Sequence, residues 1–149
     1  MHNARMTAAP DSPTLHRVGR LALGLLAPAL YASALHASPL LRCELTYAGN
    51  TQTLDATPVD DPYPVASVEV GGRFRFKAVV VGRGAQPDYI KTYAYLDTRT
   101  QPVLVQQVTY LPPFPASPHG QRLTGKQFVY AGPVERELQY ECVLHGVQP

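Results

Sequence analysis

Residues 73–97 alternate apolar and polar side chains with a period of two over almost their whole length, and that pattern restricts this part of the chain to strands. In the first run, residues 73–81, Phe74, Phe76, Ala78 and Val80 share one face while Arg73, Arg75 and Lys77 share the other. In the second, residues 88–97, Ile90, Ala94 and Leu96 point one way and Tyr89, Lys91, Tyr93 and Tyr95 the other. A turn at Gly82, Arg83 and Gly84 joins the runs. The expected product is a hairpin with one apolar face and one basic, aromatic face.

The flanking chain obeys the same rule in shorter pieces. Strands are expected at 40–48, 51–56, 65–70, 103–110, 127–131 and 135–144, with a turn at Gly49 and Asn50. Residues 57–64 hold three prolines and read as a loop. Residues 111–120 hold four prolines and a glycine and read as an extended, polyproline-like surface loop. About eight short strands with no helix beyond residue 37 predict an all-β, antiparallel β-sandwich, with a small closed β-barrel as the alternative.

Two cysteines stand near the ends of this region. Leu41, Cys43, Leu45 and Tyr47 share one face of the first strand, and Leu138, Tyr140, Cys142 and Leu144 one face of the last. Both thiols are therefore expected to point inward and to pair as a disulfide. The triplet Tyr140-Glu141-Cys142 resembles the immunoglobulin pattern, in which a tyrosine precedes the second cysteine by two residues. The resemblance implies immunoglobulin-like architecture rather than family membership, because no tryptophan is present and the first cysteine lies in the first strand.

Residues 1–37 read as a secretory signal peptide. Arg17 and Arg20 precede an apolar run, and small residues follow at Ala32, Ser33, Ala34 and Ala37, so cleavage is expected after Ala34 or Ala37. The apolar run is about fifteen residues and contains Pro28, short of the ~20 a spanning helix needs, so no stable membrane anchor is expected. Residues 38–149 then form a single domain, periplasmic or secreted. Loss of Arg5, Arg17, Arg20 and Asp11 would leave 10 basic and 10 acidic residues. That balance gives no support for nucleic-acid binding.

The residues available exclude more chemistry than they suggest. Past residue 37 there is no methionine, and only His119 and His145 remain, a poor start for blue copper or zinc. Ser38, Ser67 and Ser117 lack a nucleophile-elbow context. Asp60 and Asp61 lie among prolines without calcium-loop spacing and read as turn formers. No catalytic set, metal site or cofactor is expected.

Two surfaces remain as candidates. One is the hairpin face carrying Arg73, Arg75, Lys77, Tyr89, Lys91, Tyr93 and Tyr95, residue types that concentrate binding energy at interfaces. The other is the proline loop with Phe114 at its centre, a stiff segment suited to docking. The expected function is non-enzymatic binding of a protein partner. The alternative is a small-ligand or carbohydrate-binding module that uses the tyrosines as a stacking platform.

Overall fold

The computed structural model describes residues 38–132 and 136–148, all within one compact unit, Ala34–Pro149. The signal peptide expected at 1–37 lies outside the described residues. Among those residues the chain is all-β, with ten strands in two five-stranded sheets that do not close into a barrel. Sheet A comprises β1 (Leu40–Tyr47), β2 (Asn50–Ala56), β8 (Gln121–Arg122), β9 (Gln127–Ala131) and β10 (Arg136–His145). Sheet B comprises β3 (Pro58–Val59), β4 (Val68–Val70), β5 (Phe74–Val81), β6 (Tyr89–Leu96) and β7 (Val103–Tyr110). The arrangement is consistent with a β-sandwich, and the barrel alternative falls.

Alternation builds both sheets. In β1, Leu41, Cys43 and Leu45 are fully buried, and in β10 so are Leu138 and Cys142. From sheet B, Phe74, Phe76, Ala78, Val80, Ile90 and Ala94 enter the same core cluster. Aromatic rings cross between the layers: Phe76 meets Tyr140 at 4.8 Å between centroids, and Tyr47 meets Phe74 edge-on at 5.6 Å. Each such pair adds about 0.5–1.5 kcal/mol beyond the area it buries. Tyr140 also donates its hydroxyl to Gln106 Oε1 on β7 at 2.8 Å, a polar tie across the core.

Cys43 and Cys142 form the expected disulfide, both fully buried. They are register partners in neighbouring strands of sheet A, so the bond staples one sheet. The backbone N–H and C=O of Cys142 are both used away from β1, by Thr124 Oγ1 and by the N–H of Leu123. Cys43 and Cys142 are therefore a non-hydrogen-bonded pair, the narrow kind in antiparallel sheets, and their Cα atoms are 4.0 Å apart. Two cysteines at the ends of a chain that reads as exported, supported by strand phase, carry this pairing in the sequence.

Several expectations need correction. Ten strands among the described residues replace about eight, because the two-residue β3 lies within the stretch expected as loop and β8 in a segment given no element. β3 lies inside the proline-rich stretch 57–64 and pairs parallel to β5, against the expectation of a purely antiparallel sheet. Pro58 is tolerated there because β3 lies at the sheet margin, where a missing N–H breaks no inner ladder. The strand expected at 65–70 begins only at Val68. The first hairpin turns at Ala48 and Gly49, both with positive φ, rather than at Gly49 and Asn50. At the turn between β4 and β5, Gly71 also has positive φ, and a Cβ there would collide with the Tyr47 ring.

The largest correction concerns Phe114. Its ring is 2 % exposed and belongs to the core cluster instead of cresting the proline loop. An apolar ring at the mouth of a two-layer core gains more from burial than from display, about 1.5–3 kcal/mol for a side chain of this size. The loop backbone is held from outside as well: Gln86 Nε2 donates to the Phe114 carbonyl at 3.5 Å.

Candidate interaction surface

The outer face of sheet B is built by the register of β5, β6 and β7. Arg75 stands opposite Tyr95, and Lys77 opposite Tyr93, while Lys91 pairs with Val79 and Tyr89 with Val81. This brings Arg75, Lys77, Tyr89, Lys91, Tyr93 and Tyr95 onto one face, all half-buried. Arg73 precedes β5 and is exposed at the turn. Phe114 is not among them.

Most of the cations on this face already have work within the molecule. Arg75 Nε lies 3.0 Å from Asp97 Oδ2. Lys77 donates to the Pro62 carbonyl at 3.2 Å and stands 5.9 Å from the centre of the Tyr93 ring. Lys91 stands 5.2 Å from the Tyr89 ring. An ammonium over an aromatic face is stabilised by the ring quadrupole, by about 0.5–1 kcal/mol at sites open to water. Tyr93 and Tyr95 stack with centroids 6.2 Å apart and planes 13° from parallel. Burial, and then the neighbouring Tyr93, push the Tyr95 phenol above its ordinary value. Tyr95 and Lys77 also line a shallow hollow of about 230 Å³ with Val65, Ser67 and Pro102, where the segment before β4 meets the sheet margin.

The structure extends this face in a direction not read from the sequence. β7 contributes Leu104, 48 % exposed; Val103 and Val105 flank it at the edge, 45 % and 37 % exposed, with Val103 opposite the inward-facing Leu96. A bulge between Ala94 and Tyr95 sets Leu104 opposite Tyr95 and leaves Val105 without a register partner. The aromatic row therefore runs onto exposed aliphatic carbon at the sheet edge. The one signal in the sequence was the break in alternation at residues 103–105, where three apolar residues follow one another. Sheet A carries a second pair, Phe128 and Tyr130, 48 % and 62 % exposed on β9.

Other candidate groups are dispersed. Asp60 pairs with Arg83 at 2.7 Å, and Asp61 accepts the Tyr63 N–H at 3.0 Å, a local turn contact. His119 is exposed and His145 half-buried. Among the described residues no group of three or more His, Cys, Asp or Glu gathers where it could hold a metal ion.

The chain matches no family model, no curated protein and no solved structure. Geometry alone carries the functional reading.

Proposed function

We propose that this protein is an exported, non-enzymatic domain that binds a protein partner in the periplasm or outside the cell, through the outer face of sheet B. The observation that carries the reading is Leu104 opposite Tyr95. It joins a half-buried tyrosine and lysine row to an exposed aliphatic edge, so apolar area and polar rim lie side by side as they do at protein interfaces. The stacked Tyr93 and Tyr95 rings favour this reading over a sugar platform on the same face, because stacked rings offer their faces to each other. A buried disulfide is consistent with an oxidising compartment, in keeping with export.

The likeness to immunoglobulin domains is one of two-layer architecture. In antibody domains the disulfide joins the two sheets, and the tyrosine before the second cysteine bonds to nearby backbone. Here the disulfide lies within sheet A, and Tyr140 reaches the Gln106 side chain of sheet B.

The test is cross-linking and co-purification from the native cell envelope, comparing wild type with Leu104→Asp and with Tyr93→Ser/Tyr95→Ser/Lys91→Glu. One protein captured by wild type and lost by both variants is the expected result, provided the variants keep their thermal midpoints. Equal capture by all three forms would remove the reading.

A further inference from the structure

The outer face of sheet A holds a second arrangement that the partner reading does not use. Register places Thr51 on β2, Thr46 on β1, Gln139 on β10 and Phe128 on β9 in one row across four strands. At a spacing of 4.7–4.9 Å between strands, such a row spans about 14 Å. Beside it, Glu137 is the register partner of Tyr130. Two adjoining hollows, of about 260 and 330 Å³, lie over the Thr46 and Gln139 part of the row and share those two residues, with Phe128 and Tyr130 standing outside their linings.

These groups are already oriented by one another. Thr46 Oγ1 and Thr51 Oγ1 lie 2.7 Å apart, and Gln139 Nε2 donates to Glu137 Oε1. Hydrogen bonds from Tyr130, and then from Gln139, hold the Glu137 carboxyl below the usual carboxylate range. The exposed Tyr130 ring is thereby anchored at its hydroxyl. Phe128 and Tyr130, two residues apart on one strand, stand about 7 Å from each other along the same bank.

We propose that this face binds a neutral oligosaccharide, with Phe128 and Tyr130 as the stacking bank and Gln139, Glu137, Thr46 and Thr51 receiving the hydroxyls. The C–H face of a sugar ring is apolar and weakly positive, which suits the negative face of an aromatic ring. Its hydroxyls need donors and acceptors in fixed places to replace water, and an amide, a carboxylate and two threonines supply both. Charge balance selects a neutral ligand over a basic peptide. Glu137 keeps its negative charge under its bonds from Tyr130 and Gln139, but Glu141 is paired with Arg122 at 3.0 Å and Lys126 lines the same hollow as Glu44, so the face carries a net of one negative charge. Little net charge is left to recruit a cationic chain. The site lies on a different sheet from the proposed partner surface, so either assignment can fail alone.

The experiment is an NMR titration of the isotope-labelled, disulfide-bonded protein with three neutral probes: cellohexaose, hexa-N-acetylchitohexaose and maltohexaose. The expected result is saturable shifts from at least one of them, confined to outward positions of β1, β2, β9 and β10, with a Kd of roughly 1 mM or tighter. Phe128→Leu and Tyr130→Leu keep apolar bulk and strand propensity while removing the ring. Each should weaken binding roughly tenfold, and Leu104→Asp should leave it unchanged. The proposal is overturned if no probe shifts these positions, if the leucine variants bind as wild type does, or if an arginine-rich octapeptide binds the face and no sugar does.

Discussion

Sheet A is tied covalently between β1 and β10, whose register runs unbroken from Leu40 opposite His145 to Tyr47 opposite Leu138. Sheet B has an equally regular β5–β6 pair but no covalent tie, a bulged partner in β7, and only the short pieces β3 and β4 along its other margin. The two sheets share one core, so the contrast lies in their margins and outer faces. Sheet A turns out hydroxyls, an amide and carboxylates that bond laterally to one another. Sheet B turns out tyrosines and cations, then exposes aliphatic carbon where its ladder slips. An edge strand with a bulge resists continuous pairing with another strand, which lets apolar residues stay exposed with less risk of edge-to-edge association. One sheet is stapled across its β1–β10 pair, and the other ends in an exposed, bulged edge.

Removing the staple tests this contrast most severely. Cys43→Ala/Cys142→Ala should cost about 4–5 kcal/mol on the chain-entropy account, since the bond closes a loop with a sequence separation of 99. Urea unfolding of the two forms measures it, and hydrogen exchange should report faster opening in β1 and β10 than in β5 and β6. A loss below about 1 kcal/mol would mean that ladder and core hold sheet A as they hold sheet B. Phe114→Ala probes the closure between the sheets and should cost about 3–5 kcal/mol through the cavity it leaves. Leu104→Asp, on the exposed edge, should change stability by less than about 0.5 kcal/mol. Similar losses for the two would erase the distinction between plug and presenting edge.

The smallest expected effect lies at the outer margin of sheet A. Hydrogen bonds from Arg42, at 2.8 Å to both Asp55 oxygens, hold that carboxyl below its ordinary range. Its folded pKa is depressed, so its contribution is present above the unfolded carboxylate value and is lost as pH falls through the folded one. Both groups are open to water, and screening keeps the contribution small. Comparing Asp55→Asn with wild type by urea midpoint should show a slight deficit near pH 7 that vanishes in acid and shrinks with added salt. A deficit that grew on acidification would contradict the assigned direction.

Much of the fold was legible because alternation is local. A residue's face follows from its neighbours two positions away, so the inward set Phe74, Phe76, Ala78 and Val80 and the paired phases of Cys43 and Cys142 could be read without knowing what they packed against. The two-residue strands β3 and β8 could not be read, because each exists only where β5 or β10 supplies a partner distant in sequence. The same limit applies to the surface. Composition placed tyrosines and cations on one face of β5 and β6, but how far they are covered depends on Pro62, Val65 and Pro102 arriving from other segments.

The sequence by itself determined the longer strands, their inward faces, the disulfide partners and the side chains grouped on the hairpin's outer face. Only the tertiary structure decided that Phe114 plugs the core, that Val103, Leu104 and Val105 lie open at an edge, and that Phe128 stands in a row with Gln139, Thr46 and Thr51. The division has one physical cause. Side-chain direction is set by backbone geometry over two residues, whereas burial and adjacency are set by whichever distant segment occupies the neighbouring space.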